Sequence, residues 1–221
     1  MKVGTDGTLL GAWARGGDTI LDIGTGTGLI AMMMAQRFPD ARIIGIDIDH
    51  DAVLQARENV AVSPFGNISI VEGDVRTFFN ILTNPSQELG TLFSTIVANP
   101  PFFVESLECP DNRRTVARHA SSLSYRDMMA TAWRLLNDDG ELSVIIPADC
   151  KSRMETEATF AGFSKSRECA VKTTPKKAPR RFLLAFRKHP VSVVESETGI
   201  IEDAPNLRSA WYSELTKDFY L

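Results

Sequence analysis

Residues 19–29 read TILDIGTGTGL, and the reading of that run decides the fold. Thr19–Ile23 is a short apolar run of strand type. It stops at a glycine turn, and a helix-like stretch, Leu29–Phe38, follows and ends before Pro39. Strand, glycine turn and helix in that order make the first half of a βαβ unit. Glycines at such a turn let the backbone bend sharply and let a ligand come close.

The alternation continues outward. Arg42–Ile46, Asn67–Val71, Ser94–Ala98 and Glu141–Ile146 read as strands. Asp51–Val62, Tyr125–Leu136 and Met154–Ala161 read as helices, the second ended by Asn137-Asp138-Asp139-Gly140. Two more extended runs, Ser166–Thr173 and Arg181–Arg187, have only Thr174–Pro179 between them and should form an antiparallel hairpin. Leu207–Phe219 reads as a terminal helix. The fold class that follows is α/β, Rossmann-like and doubly wound, with a mostly parallel seven-stranded sheet closed by a C-terminal antiparallel hairpin. No linker divides the 221 residues, so residues 1–221 are read as a single domain.

Composition narrows the function classes. Cys109, Cys150 and Cys169 are far apart, with no CxxC and no histidine at ligand spacing, so reduced thiols and no metal are expected. No apolar run approaches the roughly 20 residues of a membrane span, and no signal-peptide pattern opens the chain. A cytoplasmic protein is expected. Net charge is −4, yet residues 165–190 hold nine Lys or Arg against one acid, Glu168. That segment is +8 on an otherwise acidic body, which is a local footprint for a polyanion.

The ligand of the glycine turn is settled by spacing. A dinucleotide fingerprint, GxGxxG, would need glycine where Leu29 stands. The turn is instead GxGxG (Gly24, Gly26, Gly28), preceded by Asp22, and an acid there repels a pyrophosphate but suits an ammonium group. Asp47 ends the second strand, placed to accept from ribose hydroxyls. Asp74, with Val75, follows the third strand and can accept from an exocyclic adenine amine. An amine, a ribose and an adenine without phosphate describe S-adenosylmethionine.

The fourth strand stops at Asn99-Pro100-Pro101-Phe102. In doubly wound sheets ligands bind beyond the carboxyl ends of the strands, where strand order reverses. An Asn amide oxygen and the Pro100 carbonyl can both accept from one –NH2 group. The prolines hold those acceptors still, and Phe102 offers a face to a flat ring. These residues point to methyl transfer onto a planar exocyclic amine.

Together the DIGTGTG turn, Asp47, Asp74 and NPPF resemble the class I S-adenosylmethionine-dependent methyltransferases that modify amino groups. The opening MKVGTDG with LLGAW, the pattern RRFLLAF at 180–186 and the ending YSELTKDFYL are similar to one branch of that class. Those are the bacterial enzymes that methylate N6 of adenine 37 in a valine tRNA. The resemblance covers essentially the whole chain. It implies that Asn99, Pro100, Pro101 and Phe102 are the catalytic motif, and that Asp22, Gly24, Gly26, Gly28, Asp47, Asp74 and Val75 hold the cofactor with Asn99. It also places Thr5 and Asp6 near the methionine end of the cofactor. Members of that family carry a short segment ahead of the residues matching MKVGTDG, and if that segment helps close the site, a chain beginning at Met1 binds more weakly.

Methylating an anticodon-loop adenine requires a grip on the phosphates around it. Two basic segments qualify: Lys176, Lys177, Arg180 and Arg181 in the hairpin connection, and Arg113, Arg114 and Arg118 in the long loop after the catalytic motif. The expected partner is a tRNA, bound by a monomer. Four alternatives share part of the pattern. A glutamine-N5 methyltransferase of a release factor or a guanine-N2 RNA enzyme would use the same motif. A non-catalytic RNA-binding module would not need it, and a nicotinamide oxidoreductase would need the missing glycine.

Overall fold

The computed structural model describes residues 4–82, 92–100 and 123–219, with the backbone alone for 79–82. Its centre is an eight-stranded sheet: β1 (Thr19–Ile23), β2 (Arg42–Asp47), β3 (Ile68–Glu72), β4 (Phe93–Ala98), β5 (Leu136–Pro147), β6 (Ser164–Lys172), β7 (Arg181–Arg187) and β8 (Glu195–Ile200). The order across the sheet is β3-β2-β1-β4-β5-β7-β6-β8. β1 to β5 run parallel, β7 runs antiparallel to β5 and β6, and β8 lies parallel to β6. The seven strands expected from sequence are present with their closing hairpin. β8 is added at the edge, where its largely exposed ESETGI carries no apolar alternation to reveal it.

The strands β1, β2, β4, β5 and β7 are buried on both faces, and successive residues alternate between two cores. Leu21, Ile23, Ile44, Ile46, Ile96, Leu142, Val144 and Leu184 join one core. It is covered by α4 (Val75–Leu82), α5 (Tyr125–Leu135) and α6 (Lys151–Phe160). Ile20, Ile43, Val97, Ile145 and Leu183 join the other. That one packs under α1 (Thr5–Trp13), α2 (Leu29–Arg37) and α7 (Ala210–Thr216), while α3 (His50–Val62) lies against β2 and β3.

Helix α1 was not expected, because two glycines in nine residues lower helix propensity by about 1 kcal/mol each. Tertiary packing overrides that. A Cβ at Gly7 would stand 3.0 Å from Leu29 of α2, and one at Gly11 2.8 Å from Met33. The glycines therefore let α1 lie close on α2, and residues 7–13 are all buried. Two boundaries also move. The NDDG run does not separate α5 from β5; it is absorbed into β5 as an irregularity between the Phe93–Leu136 and Thr95–Glu141 pairs. The last helix starts later than Leu207, because Leu207–Arg208 (β10) pair with Glu202–Ala204 (β9) across a turn at Asn206. Ser209 then caps α7 by accepting from the Tyr212 N–H at 3.0 Å. Helix α4 was likewise missed.

Candidate active site

The carboxyl ends of β1 to β4 lie along one edge of the sheet. The chain leaves β1 through Gly24, Gly26 and Gly28, whose φ angles are +68°, +56° and +80°. Each is a left-handed conformation that costs a residue with a Cβ roughly 1–2 kcal/mol. A Cβ on Gly24 or Gly26 would meet open space, so the backbone angle and an open face are what select glycine there. The turn is tied to β2: the N–H groups of Gly24 and Thr25 both donate to the Ile46 carbonyl, at 2.9 and 3.1 Å.

Asp22 lies beneath this turn and is fully buried. Its Oδ2 accepts from the Thr25 hydroxyl at 2.7 Å and from the Ala31 N–H at 3.2 Å, bracing the turn against the start of α2. Its Oδ1 is buried with no hydrogen-bond partner among the described residues. Burial pushes the Asp22 carboxyl up to about 7, against the pull of those two donors. Asp22 thus places a titratable carboxyl behind the turn, and a cation beside the glycines would stabilise its charged form.

Asp47 ends β2. One carboxylate oxygen accepts from the Gly26 N–H at 2.8 Å and the other from the Asp49 N–H at 3.0 Å. Each oxygen keeps a second lone pair for a ligand hydroxyl. After β3, Asp74 is held by Arg76, whose Nε lies 2.8 Å from Oδ2, and this hydrogen bond lowers its pKa. Val75 beside it is buried in the core. Between these acids Ile48 is 51% exposed, an apolar surface facing the same edge of the sheet.

Asn99 and Pro100 follow β4, Asn99 partly exposed and Pro100 buried. β4 is the neighbour of β1, with Ile23 opposite Ala98. The glycine turn and the Asn99 loop therefore leave adjacent strands about 4.8 Å apart, at the place where strand order reverses. Pro101, Phe102, Arg113, Arg114 and Arg118 lie outside the described residues.

Thr5 and Asp6 open α1, and the structure joins them to the hairpin. Asp6 Oδ2 accepts from Arg181 Nε at 2.8 Å. The basic segment itself divides in two. Lys165 pairs with Glu155 and Glu168, Arg167 and Arg187 with Glu141, and Lys188 with Asp138. Lys176, Lys177 and Arg180 are exposed, and among the described residues none of them makes an ion pair. The free charge is thus smaller than +8 and gathers at the connection between β6 and β7. No cluster of His, Cys, Asp and Glu suited to a metal occurs among the described residues.

Sequence comparison decides the family. The Methyltransferase small domain matches residues 8–170. The tRNA1(Val) (adenine(37)-N6)-methyltransferase of Phocaeicola vulgatus is 46% identical over 224 residues, covering 100% of this chain and 91% of that protein. The chain belongs to this family. The enzyme of the same description from Bacteroides thetaiotaomicron is 43% identical over 225 residues, and that from Histophilus somni 39% over 225, with the same coverage. Among solved structures, a predicted O-methyltransferase from Agrobacterium tumefaciens superposes with a TM-score of 0.72 at 18% identity, covering 96% of both chains. A ribosomal protein L11 methylase from Lactobacillus delbrueckii subsp. bulgaricus gives 0.54 at 21% identity, covering 83% of this chain and 77% of that one. These two likenesses establish the methyltransferase fold that the family shares.

Three residues beside the candidate site were passed over in sequence. Thr25 was read only as a spacer between glycines, yet it bridges the turn to Asp22. Gly45 sits in β2 opposite Asp22, and a Cβ there would lie 2.7 Å from Thr25 Oγ1. An isolated glycine in an apolar strand is the signal for such a close approach. Ile48 was hidden between two acids.

Proposed function

We propose that this chain transfers the methyl group of S-adenosylmethionine to the exocyclic N6 of adenine 37 in the anticodon loop of a valine tRNA, as a cytoplasmic monomer. The observation that carries this is Asn99-Pro100 beside the glycine turn at the switch point, in a chain that matches the family over its full length.

The donor sets fit the cofactor. Gly24 and Gly26 leave an open face for it and Gly28 completes the turn, Asp22 supplies a negative charge behind that face, and Asp47 retains acceptor capacity for ribose hydroxyls. Asp74 and Val75 take the adenine side, with Ile48 as an apolar wall. When bound, S-adenosylmethionine supplies an activated methyl group on a good leaving group. What remains for the protein is to prepare the nitrogen. The Asn99 amide oxygen and the Pro100 carbonyl accept the two amine hydrogens, which draws the nitrogen lone pair out of conjugation. The proline backbone keeps these acceptors fixed, so no reorganisation is needed at reaction. Pro101 and Phe102 complete the motif in this reading. Lys176, Lys177, Arg180 and Arg181, with Arg113, Arg114 and Arg118, grip the RNA.

The test is to incubate the protein with labelled S-adenosylmethionine and unmodified bulk tRNA, then separate the nucleosides. Label in N6-methyladenosine is expected, and label in N2-methylguanosine would change the base. Asn99→Ala should lower transfer by about 10²–10³-fold, the loss typical of removing one aligned polar group, while S-adenosylhomocysteine still binds. Equal loss of both would remove the role given to Asn99.

A further inference from the structure

A cavity of about 630 Å³ lies between the start of α1, the end of β5 and the β6–β7 connection, and of its lining only Arg180 and Arg181 enter the function proposed above, as RNA contacts. Its walls come from four stretches of chain: Thr5 and Asp6, Pro147 to Asp149, residues around Thr173 and Pro179 to Arg181, and Ile201 after β8. Two bonds hold them together. The Ala148 N–H donates to the Arg180 carbonyl at 3.1 Å, and Asp6 pairs with Arg181 across the opening.

Place and chemistry both point to RNA. β7 is two strands from β4 in the sheet, so the cavity opens about 10 Å from the Asn99 loop along the same edge. Asp22, Asp47 and Asp74 are on the other side of that loop, at the ends of β1, β2 and β3, so that of the acids assigned to the cofactor only Asp6 borders the cavity. The lining carries carboxylates (Asp6, Asp149), hydroxyls (Thr5, Thr173), an exposed guanidinium (Arg180) and the apolar faces of Pro147 and Pro179. Base edges offer donors and acceptors, phosphates seek a guanidinium, and base faces seek apolar surface. The volume lies within the range of small-ligand pockets. Extruding one base from a loop also displaces its neighbours.

We propose that this cavity receives the nucleotide adjoining the target adenine, its base against Pro147 and Pro179 and its phosphate on Arg180. This rests on the RNA reading above and names a second contact within it. Asp6 then serves as a positioning residue, holding Arg181 and with it the wall formed by the hairpin.

The experiment measures binding of anticodon stem-loops by anisotropy, using intact RNA and RNAs made abasic on the 5′ or the 3′ side of the target adenine. Thr173→Trp fills the cavity from the hairpin, and Asp149→Ala removes an acceptor without adding bulk. One abasic RNA should bind wild-type protein about tenfold more weakly, in line with the loss of one docked base. Thr173→Trp should weaken intact RNA similarly, and the two changes together should cost no more than either alone. Asp149→Ala should give a smaller, equally non-additive loss, and S-adenosylhomocysteine affinity should be unchanged in both variants. Additive losses, unchanged RNA affinity with the cavity filled, or a parallel loss of cofactor affinity would overturn the proposal. Non-additive RNA binding without any methyl transfer would support the cavity and sink the activity instead.

Discussion

The Gly26 N–H donates to the Asp47 carboxylate at 2.8 Å, so the turn that leaves β1 and the acid that ends β2 form one unit. Gly45 makes that unit possible by leaving room for Thr25 against β2. Gly45→Ala would put a Cβ 2.7 Å from Thr25 Oγ1 and 2.9 Å from Ile70 Cδ1, and the turn must shift. Overpacking of this kind costs about 1–3 kcal/mol. Calorimetry should show cofactor affinity reduced about tenfold or more, the equivalent of roughly 1.4 kcal/mol. An unchanged affinity would mean that the turn adapts freely.

Asp22 gives the site a pH dependence whose sign can be worked out. Burial raises its folded pKa from 3.8 to about 7. The stability it contributes is therefore fully present below the unfolded value and is lost as pH rises through about 7. A cationic ligand beside the turn favours the ionised form, so binding releases a proton at this site. Cofactor affinity should rise with pH up to about 7, by at most about tenfold per unit, and level off above it. Asp22→Asn should flatten that profile. A wild-type profile that is already flat, or one that the substitution leaves unchanged, would contradict this account.

Replacing Lys176, Lys177 and Arg180 together with Ala should weaken tRNA binding and lower the steepness of its dependence on log salt by about 2–3, if each contacts one phosphate. Lys188 and Arg187, equally basic in sequence, are held in ion pairs with Asp138 and Glu141. Replacing those two should leave the salt slope where it was. Titration of tRNA at several salt concentrations distinguishes the two sets, and equal effects would contradict the division.

Glu141 is 3% exposed and accepts from Arg167, itself 8% exposed, at 2.7 Å. Glu141→Ala leaves that guanidinium buried over the Trp13 ring without its carboxylate. Breaking a buried pair from one side costs about 3–5 kcal/mol. Thermal unfolding should fall by about 6–20 °C for a chain of this size. A drop of a degree or two would mean that Glu195 or water takes over.

The sheet was legible because its strands are apolar on both faces and bounded by Gly, Pro and Asn, signals that act locally. Helix α1 was not, since its glycines read as breakers until α2 is placed against them. β8 was not, because an exposed edge strand needs no apolar pattern. Within the site, Asp22, Asp47 and the glycines were recognisable by spacing, and Asn99 by its place after a buried strand. Asp6 was assigned to the cofactor by resemblance, while its carboxylate accepts from Arg181, a partner 175 residues away that no local signal discloses. The basic segment was legible as charge but not as free charge, because ion pairing depends on which strands end together.

Since β7 alone in the sheet runs against its neighbours, it begins where the others end. The link from β6 to β7 is thereby delivered to the edge where β1 to β4 end, as an external loop anchored at both sides by strand pairing. A change of length confined to positions 175–178 would leave the Val171–Arg181 pair that closes the ladder outside the edit. Under the proposed function, substrate range can be changed by editing that loop, with Asn99 and Pro100 at the end of β4 left untouched.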